Sequence, residues 1–199
     1  MEVYDAIRTI LAVRAYQDKP VPPEIVLRIV ESGRLTGSSM NGQPWHFILV
    51  EDSETLKKLA ALARSGPYIA QAPLAIVVAM EKSIYAVSDA SRAIQSMILT
   101  AWSEGVASNW VGFENLTAVK PLLGIPEEID VLAILPFGYA VKQIGRERRS
   151  ASRSPKSLTM NASDNLSSNL NGSPRVAVIL YTDWTDFTEL HGESIKKSV

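Results

Sequence analysis

Gly37-Ser38-Ser39-Met40-Asn41-Gly42-Gln43-Pro44-Trp45-His46-Phe47-Ile48-Leu49-Val50 carries the residue types and spacing in this chain best suited to chemistry. The small residues at its start let a backbone approach another molecule closely. Asn41 and Gln43 each bring donors and an acceptor on one planar amide. Pro44 ends the loop, and a β-prone apolar run leads from it into a core strand. An amide-bearing loop feeding such a strand suits recognition of a flat heterocycle with donors and acceptors along its edge. Its plainer use is to cap a helix and start a strand.

The remaining side chains offer little reactive chemistry. The two histidines, His46 and His191, have no serine or aspartate partner at a recognisable spacing. No His, Asp or Glu cluster has metal-ligand spacing, so no metal is expected. No glycine-rich phosphate loop of the known types occurs. The chain has no cysteine, which excludes disulfides, thiolate nucleophiles and thiolate-bound metal centres. If the protein is an enzyme, no side chain is expected to be catalytic in its own right, and a bound cofactor must carry the hard chemistry.

A chain of 199 residues is long enough for a substantial core. Its 46% apolar and 21% charged residues are ordinary for a soluble protein. A net charge of −1 argues against a nucleic-acid partner. The longest apolar runs, residues 74–80 and 131–137, are too short to span a bilayer. The N-terminus has no leader pattern. The expectation is a cytoplasmic protein with neither a membrane nor a nucleic-acid partner.

Periodicity supplies the elements. Residues 3–13 have helical spacing, with Val3, Ile7, Ile10 and Leu11 on one stripe. Prolines break that pattern, and Pro23 suits the first turn of a second helix running to about residue 35. Residues 45–50 form a strand. Ser53 reads as the N-cap of a helix through Leu56, Leu59 and Leu62. Residues 74–80 read as a strand buried on both faces. Residues 89–104 form a long helix, apolar over more than half its circumference, and thus central or at an interface. Gly105 stops it. Residues 106–111 are extended, 118–123 a short helix ended at Gly124, and 131–137 a strand. This alternation predicts an α/β fold, an α+β sandwich.

Composition shifts after Gly145, where Arg146, Arg148, Arg149, Arg153 and Lys156 face Glu147 alone. Residues 150–174 are Ser/Asn-rich and read as a flexible linker or arm. Residues 175–181 have strong strand character, suited to an edge of their own sheet or a partner's. The expected division is therefore a domain over 1–149, a linker over 150–174, and a terminal strand and tail over 175–199.

The loop resembles the Ser-x-x-Asn-x-Gln-Pro-Trp-x-Phe segment of the FMN-dependent nitroreductase family. The resemblance covers most of residues 3–149. Val13-Arg14-Ala15-Tyr16-Gln17-Asp18-Lys19-Pro20-Val21 is similar to that family's N-terminal basic segment. Ala72-Pro73-Leu74 resembles the opening of one of its strands, and Asp89 to Leu99 its long core helix. Trp110-Val111-Gly112-Phe113 resembles its loop beside the flavin ring. Leu123-Gly124-Ile125-Pro126 and Pro136-Phe137-Gly138-Tyr139 resemble its last landmarks. The resemblance implies a central mixed sheet flanked by helices and a homodimer with FMN at the subunit interface. It also implies ping-pong hydride transfer from NADH or NADPH to a nitroaromatic, quinone or similar small electron acceptor.

The same resemblance implies roles for residues. Arg14 would bind the FMN phosphate in a guanidinium fork. Ser38, Ser39 and Asn41 would line the isoalloxazine and ribityl, with Gln43 as a neighbour. Trp110 would flank the ring, and the backbone of Val111 and Gly112 would face flavin N5, where a donor stabilises developing charge. Arg148 or Arg149, or Arg146 beside them, would close the phosphate site. One departure stands out: Ile10-Leu11-Ala12 occupies the place of the family's Arg-Arg-Ser or Arg-His-Ser. Each lost charge-assisted bond is worth roughly 1.5–3 kcal/mol. The alternative reading is therefore a flavin-binding protein of the same fold with a weakened site and a storage or regulatory role.

Overall fold

The computed structural model describes residues 1–112 and 116–142. The expectations for Phe113, Arg146, Arg148, Arg149, His191, the linker 150–174 and the strand and tail 175–199 lie outside the described residues. Helix α1 spans Val3–Thr9, α2 Pro23–Arg34, α3 Ser53–Leu62, α4 Ala86–Ser103 and α5 Val119–Leu123. Strands are β1 Trp45–Val50, β2 Leu74–Met80, β3 Ala107–Ser108 and β4 Asp130–Gly138. None of these helices is long and apolar enough to cross a membrane.

The strands lie in the order β1-β2-β4-β3, with every neighbouring pair antiparallel. Parallel pairing among the described residues is confined to a bridge from Ala12 to Ser108. The mixed character expected of the sheet is thus limited here to the segment that carries Arg14.

The sheet is the middle layer of a sandwich, and β2 shows why. Ala75 and Val77 enter one core with Leu56, Leu59, Ile69 and Val119. Leu74, Ile76 and Val78 enter the other with Val26, Ile29, Ala93, Ile94 and Met97. A strand apolar at every position can satisfy both faces only between two helical layers. Helices α2 and α4 approach closely at Gly33, where a Cβ would meet Met97 Cγ at 2.9 Å.

Three expectations are corrected. The Val3/Ile7/Ile10/Leu11 stripe does not face the core: α1 ends at Thr9 and buries Ala6 and Thr9, leaving Val3 70% and Ile7 51% exposed. The N-cap of α3 is Asp52, not Ser53. Its carboxylate accepts from Thr55 N–H at 2.8 Å and from the Thr55 hydroxyl at 2.7 Å, leaving Ser53 as the first helical residue. Helix α4 begins at Ala86 rather than 89, so Asp89 sits in its first turn.

Candidate functional site

Arg14 lies on a segment tied to the sheet edge by its neighbours. Val13 N–H donates to the Ser108 carbonyl at 2.9 Å, and Gln17 N–H to the Tyr139 carbonyl at 2.8 Å. The Val13 carbonyl accepts from the Tyr16 hydroxyl at 2.8 Å and from Asn109 Nδ2 at 3.2 Å. Tyr16 and Asn109 are both buried, and burial pushes the Tyr16 phenol's pKa up from its ordinary value. Between these anchors Arg14 stays exposed, its guanidinium 6.0 Å from the centre of the Tyr68 ring. That distance is at the outer limit of cation–π attraction. Leu11 and Ala12, separated from it by the buried Val13, present apolar groups to solvent.

The stretch Trp110–Gly112 joins the same corner. A Cβ on Gly66 would meet Val111 Cγ1 at 2.8 Å, so the turn leading to Tyr68 packs directly on Val111. The Val111 backbone is fully committed: its N–H donates to the Ile134 carbonyl at 3.0 Å and its carbonyl accepts from Ile134 N–H at 2.8 Å. The Val111 N–H, one of the two expected to face flavin N5, is thus paired within the sheet. At Gly112 a Cβ would stand 2.7 Å from Trp110 Nε1 and 2.8 Å from the Leu132 carbonyl. Only glycine lets the Trp110 indole fold back over this backbone.

Residues 38–43 form a second group, anchored elsewhere. Met40, Asn41 and Gln43 have φ of 50°, 56° and 44°. Asn tolerates the left-handed region; Met and Gln occupy it at a cost of about 1–2 kcal/mol each. The Ser38 hydroxyl accepts from Gln43 N–H at 2.9 Å, and Gln43 Nε2 donates to Asn41 Oδ1 at 3.2 Å. Both amide side chains are exposed. Ser39, expected beside the flavin, bonds to α4. Its N–H and its hydroxyl each donate to the Asp89 carboxylate at 3.0 Å, so both of its donors turn into the protein. Arg92 pairs with the same carboxylate.

Asp89 and Arg92 were in view in the sequence without an assigned role. A charged residue interrupting the small-residue face of α4 was the available signal. The Asp89 side chain is only 2% exposed. Desolvation pushes its pKa up, but the Ser39 N–H and hydroxyl and the Arg92 guanidinium outweigh it and hold the carboxyl below its ordinary value. Among the described residues no hydrogen bond links the Arg14 group to the 38–43 group. His46 belongs to neither; its Nε2 lies 3.6 Å from a Glu81 carboxylate oxygen. Gln95 is exposed on α4.

This architecture has known counterparts. The family model described as Nitroreductase family matches residues 8–86 and 63–139 in two overlapping stretches. A protein of Methanothermobacter thermautotrophicus with the provisional name NADH dehydrogenase/NAD(P)H nitroreductase is 32% identical over 154 residues, 73% of this chain and 81% of that one. An FMN reductase [NAD(P)H] of Bacillus subtilis is 29% identical over 68% of this chain and 60% of its own length. The crystal structure of a similarly named Bacteroides thetaiotaomicron protein superposes with a TM-score of 0.73 at 28% identity, covering 80% of this chain and 96% of that one. The chain belongs to the nitroreductase family.

Proposed function

We propose that the protein is an FMN-dependent oxidoreductase that takes hydride from NADH or NADPH and delivers it to a small electron-poor acceptor. Nitroaromatics and quinones are the acceptor class, used in ping-pong order on one open face. The observation that carries this reading is the pairing of an exposed guanidinium, fixed by its backbone neighbours, with a separate loop presenting two exposed amides. The residues fit FMN. Arg14 suits its phosphate, Asn41 and Gln43 its ring edge, and Gly112 keeps the Trp110 indole folded against the backbone. The bound flavin supplies reversible hydride storage at N5. The chain's own residues neutralise the phosphate, orient the ring and hold the N5 side in a fixed backbone environment.

The protein is further proposed to act in the cytoplasm as a homodimer, each site drawing its two groups from different copies. The exposed apolar face of α1, with Val3, Tyr4 and Ile7, supports this, because an apolar face of that kind marks an interaction surface. The test is the visible spectrum of the purified full chain, repeated after FMN and then NADH are added without oxygen. A retained flavin bleached by NADH is expected. The apolar surface of Leu11 and Ala12 favours one second reading, a non-catalytic flavin-binding protein. Weak flavin retention without NADH oxidation in excess FMN would select it.

A further inference from the structure

We propose that Asp89 is a positioning residue for cofactor binding: its buried carboxylate grips Ser39 and thereby holds Met40, Asn41 and Gln43 in the left-handed conformations that present Asn41 and Gln43. The inference rests on the flavin reading above and deepens it.

The loop cannot hold this shape by local preference. Three non-glycine residues have positive φ within four positions, Met40 and Gln43 among them at a cost, and such conformations persist only where the surroundings over-determine them. The over-determination is visible at the loop's first turn. Ser39 gives both of its donors to Asp89, and its carbonyl accepts Gly42 N–H at 3.0 Å. Ser39 is thus clamped from both sides, and the chain must turn immediately after it. Asp89 is itself held by α4, where Ala90 and Ala93 are fully buried, so the clamp is fixed to the core. Arg92, one turn further along α4, balances the carboxylate and reaches the Ser39 hydroxyl at 3.4 Å. Burying this charge is tolerable because each of its partners is a donor. An apolar residue at 89 would leave both Ser39 donors without this acceptor and the loop without its anchor.

The experiment is a double-mutant cycle on FMN dissociation, read by quenching of flavin fluorescence with the full chain. The variants are Asp89→Asn, Asn41→Ala and the pair. Asp89→Asn keeps shape but replaces one acceptor oxygen with a donor, and is expected to weaken FMN binding about tenfold. If Asp89 acts through the loop, adding Asn41→Ala to Asp89→Asn should cost less than about a further twofold. At saturating FMN, Asp89→Asn should also shift the bound flavin's absorption bands, which a merely structural loss of stability would leave in place. Should Asp89→Asn not fold, Ser39→Ala, which removes one of the two donors, replaces it in the same cycle. Unchanged FMN affinity in these variants, or effects that multiply independently, would overturn the proposal alone. A parent chain that binds no FMN would overturn the flavin reading and this proposal together.

Discussion

The Tyr16 hydroxyl donates to the Val13 carbonyl at 2.8 Å, closing the span that carries Arg14 between them. The same oxygen lies 3.3 Å from the Pro136 carbonyl, so one buried phenol ties this span to β4. Tyr16→Phe should cost about 1 kcal/mol, since Val13 keeps its bond from Asn109. A lower urea midpoint with an unchanged slope is the expected result.

Burial raises the Tyr16 pKa in the folded state above its unfolded value near 10. Its contribution is therefore complete below that value and declines as pH rises beyond it, because only the unfolded chain ionises readily. Urea midpoints compared at pH about 8 and about 11 should fall more in the parent than in Tyr16→Phe. Equal declines would show that Tyr16 ionises as easily in the fold as outside it.

Arg14→Ala should weaken FMN retention by roughly 10-fold or more while leaving stability nearly unchanged, because the side chain is exposed and touches little besides Tyr68. Arg14→Lys should recover part of the loss, keeping the charge without the fork. Equal flavin occupancy in Arg14→Ala and the parent after desalting would remove Arg14 from the site.

Gly112→Ala should destabilise by about 1–3 kcal/mol, because the new Cβ meets a backbone carbonyl that cannot swing aside as well as the Trp110 indole. Chemical denaturation would read the cost, and a shift in tryptophan emission would report the displaced indole. An unchanged midpoint would mean that the close approach at Leu132 relaxes freely.

Asp89 has a folded-state pKa below its ordinary value, so its stabilising contribution is present above the unfolded pKa near 3.9 and lost as pH falls through the folded one. Arg92 is the charged group facing it, and Ser39 supplies neutral donors. Asp89→Asn should flatten this part of the acid limb. Identical acid titrations of the unfolding midpoint in parent and variant would contradict it.

Val3→Ser with Ile7→Ser should shift the protein toward monomer in light scattering, since both side chains are exposed in the single copy. Within the single copy such exposed changes are worth under about 0.5 kcal/mol. Unchanged mass at every concentration would place the subunit contact elsewhere.

Much of the fold could be read locally. The continuous apolar run 74–80 demanded cover on both faces, and β2 has it. Pro23, Gly105 and Gly124 marked boundaries through their own backbone limits, with φ of 79° and 65° at the two glycines. The stripe in α1 was misleading because periodicity shows which residues share a face, not which face meets a core. Asp52 displaced Ser53 as a cap because either residue type can cap, and the backbone angle that decides between them is not a property of composition.

At the site, the sequence by itself determined the inventory: one guanidinium at 14, two amides at 41 and 43, a glycine at 112, and no thiol anywhere in the chain. The tertiary structure alone decided how those groups are used. It turned Ser39 inward, consumed the Val111 amide on Ile134, and made Asp89 an anchor. The physical reason is range. Spacing and backbone limits act over a few residues, whereas a hydrogen-bonding group's partner is chosen by packing that brings residue 39 to residue 89 and residue 111 to residue 134.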